Sequence, residues 1–198
     1  MQKLYLWEKA ALLALCLALL SGVWAEGRQA ALAQSLLRLH VLAVSDEPQE
    51  QALKLRVRDA ILTRVQPLLR GAGSAAEAEA ILSGHLSEVQ RAAEEAAEGR
   101  AVTVTLTAER FPTRDYGSFV LPAGRYKALR VVLGEGRGHN WWCVVFPTLC
   151  LRADEDTLRE ALAPEDFALV SEEEGYELRF RILELWGELF GRTDGTAQ

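Results

Sequence analysis

Histidine and cysteine are scarce in this chain, basic residues are in the minority, and each shortage removes a class of function. The 198 residues hold three His and three Cys. His40, His85 and His139 stand far apart, and only His139 and Cys143 are close enough to suggest half a metal site. A structural zinc site needs four ligands, usually in short-spaced pairs, so no metal is expected. Lys and Arg number 22 against 28 Asp and Glu, which gives a formal net charge of −6, and the cations are interleaved with acids. Phosphate binding needs a basic patch, so no nucleic-acid partner is expected. A dinucleotide fingerprint is missing too: the sixth position from Gly134 is His139, and a strand follows the glycines where a helix is required. No small-molecule cofactor is expected. Repeats, long linkers and low-complexity tracts are lacking, so residues 26–198 read as a single domain.

Long apolar runs are confined to the N-terminus. Lys3 and Lys9 frame the start, residues 10–20 are all apolar, and Val23-Trp24-Ala25 places small residues at −3 and −1 of a cleavage site. Eleven residues rise only ~16 Å as a helix, against a hydrocarbon core of ~30 Å. Residues 1–25 are therefore read as a signal peptide, with an uncleaved anchor as the alternative. Their removal would take away Lys3, Glu8 and Lys9 and leave a net charge of −7. Export places Cys143 and Cys150 in a compartment that permits disulfides, once Cys16 is set aside with the apolar run.

What remains is apolar enough, at 49%, to build a core. Residues 36–44 read as a strand whose strongly polar members are Arg38 and His40. Ser45-Asp46-Glu47-Pro48 offers helix-start chemistry, with Asp46 able to cap. Leu53, Val57, Ile61, Val65 and Leu68 then recur at helical spacing until Gly71 and Gly73. Ser74-Ala75-Ala76-Glu77 has the capping-box pattern and opens a second helix running toward Ala97, with Ile81, Leu82, Leu86 and Val89 inside. Val102, Val104, Leu106 and Ala108 alternate with threonines as a half-buried strand. Residues 111–124, rich in Pro and Gly, form a shaped loop, and residues 126–133 and 140–146 are strands joined by a glycine turn. The three late strands are expected to pair antiparallel. The last segment is helical, with Leu178, Ile182, Leu185, Trp186 and Leu189 as its stripe. Its Glu-rich polar face argues against a membrane role for Trp186 and Phe190. The expected fold is α+β: a mostly antiparallel sheet of about four strands, two long helices on one face, and a C-terminal helix.

Two chemical readings of the cysteines stand open. Cys143 as a thiol nucleophile would need His139 or His40 as base and Asp46 or Asn140 to orient it. On a strand, residues 139 and 143 lie about 13 Å apart, so a local dyad needs the chain to fold back. A Cys143–Cys150 disulfide instead needs a reversal between the two, for which Phe146-Pro147-Thr148 is a corner. Closing so short a loop would stabilise by roughly 2.5 kcal/mol on the chain-entropy model. Trp141 and Trp142, being adjacent, face opposite sides of their strand. One large aromatic on a rim is what an interface anchor looks like.

Three stretches together resemble a known family. They are Leu39-His40-Val41-Leu42-Ala43-Val44-Ser45-Asp46 with residues 51–60, then residues 111–117 and 121–130, and then Asn140-Trp141-Trp142-Cys143-Val144-Val145-Phe146-Pro147 leading to Leu149-Cys150. In this order they resemble the stage II sporulation protein R family over about residues 36–151, with Val44 and Thr148 departing from its usual Asn and Pro. The resemblance implies a signal and not an enzyme. Such a protein is exported into the space between forespore and mother cell, where it triggers a membrane-embedded aspartic protease. The protease then trims a mother-cell sigma-factor precursor. The contact surface is expected from His40, Ser45 and Asp46, from Phe111, Arg114, Asp115 and Tyr116, and from Asn140, Trp141 and Trp142. The rival readings are a thiol hydrolase using Cys143 and a wall- or ligand-binding module with Trp141 or Trp142 in a concave pocket.

Overall fold

Leu37, Leu39 and Val41 are fully buried, and so is Arg38 between them, with His40 nearly so. A strand buried on both faces belongs in the middle of a sheet. That is where the structure, a computed structural model describing residues 5–117, 119–150 and 155–171, places it. Strand β1 (Leu37–Leu42) lies between β5 (Gly124–Leu133) and β6 (Asn140–Phe146), and β2 (Val102–Phe111) completes the order β2-β5-β1-β6. The β2–β5 and β1–β6 pairings are antiparallel, and β1 runs parallel to β5. The α+β class and largely antiparallel sheet are as expected, but β5 and β6 are not neighbours. The glycine turn after Leu133 could close a hairpin. Instead β1 enters between the two strands, because only a central position buries both of its faces.

One face of the sheet carries Leu37, Leu39 and Val41 with Leu129, Val131, Leu133, Cys143 and Val145. Helix α2 (Pro48–Leu69) covers it with Leu53, Val57, Ile61, Leu62 and Val65. Pro48 stands in its first turn, where its missing N–H costs nothing. The second helix is in fact two, α3 (Ala75–Gly84) and α4 (Leu86–Ala96). Gly84 weakens the run, and the His85 N–H caps the Leu82 carbonyl to end the first piece. Ser74 Oγ accepts from Glu77 N as the capping pattern requires, while the Glu77 carboxylate reaches Gly73 N.

On the opposite face sit Leu32, Leu36, Phe111, Tyr126, Ala128 and Val144. The short hairpin β3 (Arg114–Asp115) and β4 (Val120–Leu121) covers part of them with Phe119 and Leu121. Helices α5 (Glu155–Ala161) and α6 (Pro164–Val170) add Leu158 and Val170, with Leu162 between them. The remaining cover is the end of α1 (Leu6–Gln34). Residues 26–34 are thus helix, since nothing among them breaks a helix as Pro would. Gly124 lies against the Gln29 side chain, whose amide end would have to move to admit a Cβ there. At 29 residues α1 is about 44 Å long, and an 18-residue window has a mean hydropathy of 1.8. It is long and apolar enough to cross a membrane. The C-terminal stripe from Leu178 to Leu189, with Phe190, lies outside the described residues.

Ile61→Ala tests the packing of α2 on the sheet. The fully buried side chain touches the main core, so its truncation should lower unfolding stability by about 2–5 kcal/mol in urea denaturation. A loss below about 0.5 kcal/mol would mean that α2 is not seated as described.

Candidate functional site

Because side chains alternate along a strand, Arg38 and His40 share the sheet face that α1 and the hairpin cover only in part. Arg38 is 0% exposed and has no carboxylate partner among the described residues. Its guanidinium carbon lies 4.1 Å from the Phe111 ring centre, 5.0 Å from that of Tyr126 and 6.0 Å from that of Tyr116. One nitrogen donates to Tyr116 Oη at 2.5 Å, while Nε and Nη1 are without acceptors. The aromatic faces hold the cation in place of an anion. Burial lowers the Arg38 pKa from its ordinary value, against the raising effect of the two tyrosines. Burial likewise raises the Tyr116 pKa and pushes that of Tyr126 up to about 12. Tyr126 Oη donates to the Pro122 carbonyl at 2.7 Å.

His40 sits one pleat further along. Its Nδ1–H donates to Glu109 Oε1 at 2.8 Å, and Nε2 faces the Asn140 amide at 3.1 Å. Glu109 also meets Arg130 at 3.4 Å. A polar row therefore crosses all four strands, through Glu109 on β2, Arg130 on β5, His40 on β1 and Asn140 on β6. His40 stacks on Trp142 with ring centres 3.7 Å apart, and Phe111 meets Trp142 edge-on at 4.6 Å. Trp141 faces the other way, as expected, and carries the Arg58 guanidinium 4.4 Å over its ring.

Ser45 and Asp46 lie at the C-terminal end of β1, where the glycine turn returns. Asp46 does not cap α2. Its Oδ1 accepts from the His139 N–H at 2.6 Å and also meets His139 Nδ1, so the carboxylate ties two loops together. Gly138 N donates to Ala43 O at 2.9 Å, and a Cβ on Gly138 would collide with the Ser45 carbonyl. Lys54, buried beneath, donates to the His139 carbonyl at 2.8 Å and to Gln51 at 2.6 Å. Desolvation lowers the Lys54 pKa.

Arg114, Asp115, Tyr116, Asn140, Trp141 and Trp142, with Leu149 and the Cys143–Cys150 pair, line one open groove of about 490 Å³. The two sulfurs are bonded, with the alpha carbons 5.5 Å apart. The Pro147 corner makes the reversal, and Leu149 N donates back to Val144 O at 3.3 Å. The thiol dyad is not assembled. Cys143 is bridged, His139 is held by Asp46, and His40 lies on the opposite face of the sheet from Cys143. Of the expected contact residues, six meet in the groove, while Phe111 and His40 pack against Trp142 without lining the groove. Ser45 and Asp46 stand apart at the loop clip. Arg38, Glu109 and Arg58 are not among the contact residues expected from the sequence. Arg38 was legible, because an Arg two residues before a His in an apolar strand puts both on one face.

A family model described as Stage II sporulation protein R matches residues 33–156, a stretch that contains the whole groove and both bridged cysteines. The chain belongs to this family. It is also similar to Stage II sporulation protein R of Bacillus subtilis (strain 168), 31% identical over 192 residues, which are 83% of this chain and 86% of that relative. No solved structure matches. Membership gives this chain a role in sporulation.

Two measurements check the site. The His139 backbone N–H, with the ring beside it, holds the Asp46 pKa below its ordinary value of about 3.9. That contribution to stability is present above the unfolded pKa and is lost as pH falls through the lowered folded one. Asp46→Asn should therefore be less stable than the parent at pH 7, with the gap closing as the carboxylate protonates. A gap unchanged in acid would refute the clip. Iodoacetamide on the denatured, unreduced and unprocessed chain should label Cys16 alone, with Cys143 and Cys150 labelled only after reduction. Labelling of all three without reduction would mean that the bridge is absent.

Proposed function

We propose that this chain is an exported, non-catalytic activator. In this reading it stands between forespore and mother cell and binds a membrane-embedded aspartic protease of the mother cell, which then processes a sigma-factor precursor. The observation that carries the reading is the groove between β3 and β6. It brings residues from two distant parts of the sequence into one open surface and assembles no acid–base–nucleophile set among the described residues. Activation by binding requires only that the partner's active state bind this surface better than its inactive state. Helix α1 supports the location, since an apolar N-terminal helix suits either a signal peptide or an anchor in the forespore membrane.

A wall-binding module is favoured by one feature, the concavity beside Trp141 and Trp142. Sugar recognition wants a free aromatic face, however. His40 covers one face of Trp142 and Arg58 covers one face of Trp141. The thiol-hydrolase reading loses its nucleophile to the bridge.

Co-expression of this chain, the protease and the precursor in a non-sporulating host tests the proposal. Processed precursor should appear only with all three present, and Arg114→Glu in the exposed groove wall should lower it by about tenfold or more at equal protein level. Processing that proceeds without the protease, or that needs free cysteines here, would overturn it.

A further inference from the structure

The two edges of the four-stranded sheet are treated differently. On β2 the Gln90 side chain takes the place of a neighbouring strand: its amide donates to Val102 O at 2.8 Å and accepts from Val104 N at 2.8 Å. On β6 the chain returning through the bridge covers Val144, whose carbonyl accepts from Leu149 N. Among the described residues nothing equivalent covers the first half of β6. Backbone groups alternate sides along a strand, so if the Val144 carbonyl points away from β1, those of Trp142 and Asn140 point away as well. A second observation agrees. Ala43 O accepts from Gly138 N, so the odd-numbered residues of β1 turn their backbone toward β6, and His40 opposite Trp142 is a pair without ladder bonds. Side chains come closest in such pairs, as the 3.7 Å stack of His40 on Trp142 shows. Among the described residues, no backbone partner meets Asn140 or Trp142 on the outer side.

This open edge is one wall of the groove, and the opposite wall is cationic. Arg114 is exposed and has no carboxylate partner among the described residues, and Arg38 stands behind Tyr116 without one. Asp115, the one carboxylate in the lining, is turned to Gly117 N at 2.6 Å and keeps its charge, so the two arginines outnumber it by one. A positive wall in a chain of net charge −6 selects for an acidic occupant. Unpaired N–H and C=O groups in a row select for an extended one.

We infer that the groove binds an extended acidic peptide segment of the partner protein as an added strand on β6. The Asn140 and Trp142 backbones make the ladder, and Arg114 meets a carboxylate of the incoming strand. This deepens the activator reading and rests on it for the partner's identity, but its chemistry can be tested without the protease.

The probes are three acetylated hexapeptides: one alternating valine and glutamate, its valine–lysine counterpart, and the acidic one with a central proline. Each is added to the oxidised full chain in detergent, and amide hydrogen exchange is followed residue by residue. The acidic peptide should slow exchange at Trp142 by about tenfold or more, while the lysine and proline peptides leave it unchanged. Arg114→Glu should transfer the protection to the lysine peptide. Equal protection by all three, no protection at millimolar peptide, or protection of Trp142 in a self-associated dimer without peptide would each overturn the inference. Failure here with Arg114-dependent processing in the three-component assay would leave the activator reading standing and remove only the strand-addition mode. Success here with no protease dependence would do the reverse.

Discussion

Everything described depends on β1 being held between β5 and β6. Its odd-numbered side chains close the core under the helices, while its even-numbered ones put Arg38 and His40 onto the other face. Arg38 is a cation without an anion in a fully buried place, and leaving a charge unpaired there would ordinarily cost several kcal/mol. Three aromatic rings and one phenol take the place of the missing carboxylate. Those rings come from β2, β5 and the β3 segment. The cation thereby fixes the hairpin that forms one groove wall against the sheet that forms the other.

The disulfide plays a complementary part at the far end. It turns the chain after β6 back on itself, so the strand's last backbone groups are satisfied and its first ones are left for something else. The loop clip of Asp46, His139 and Lys54 sets where β6 begins. A groove bounded in this way is cross-tied by the buried cation, the disulfide and the loop clip. Such preorganisation lowers the ordering cost of binding and suits a protein whose proposed role is to be recognised rather than to catalyse.

Much of this was legible in residue patterns. The helix of Leu53, Val57, Ile61 and Val65, the alternating strand from Val102 and the glycine turn all follow from local spacing. The capping of α3 by Ser74 does too. Local spacing failed where a long-range partner decided the outcome. Asp46 had the position of a helix cap, but the His139 N–H, remote in sequence, competes for its oxygen and wins. Residues 75–97 had one continuous stripe, yet the weak point at Gly84-His85 lets two helices follow the sheet. The strand order failed for the same reason. Short connections suggest neighbours, whereas burial of both faces of β1 outweighs connection length.

The sequence by itself determined the α+β class, the apolar N-terminal segment and the family, because these rest on composition, periodicity and contiguous motifs, while it left Cys143 open between a bridge to Cys150 and a free thiol. Tertiary structure alone decided that Arg38 lies among Phe111, Tyr116 and Tyr126, that His40 stacks on Trp142, and that one half of β6 is left open beside Arg114. These are meetings of residues far apart along the chain. Side-chain type and spacing state which groups need partners, and only the folded sheet states which partners they obtain.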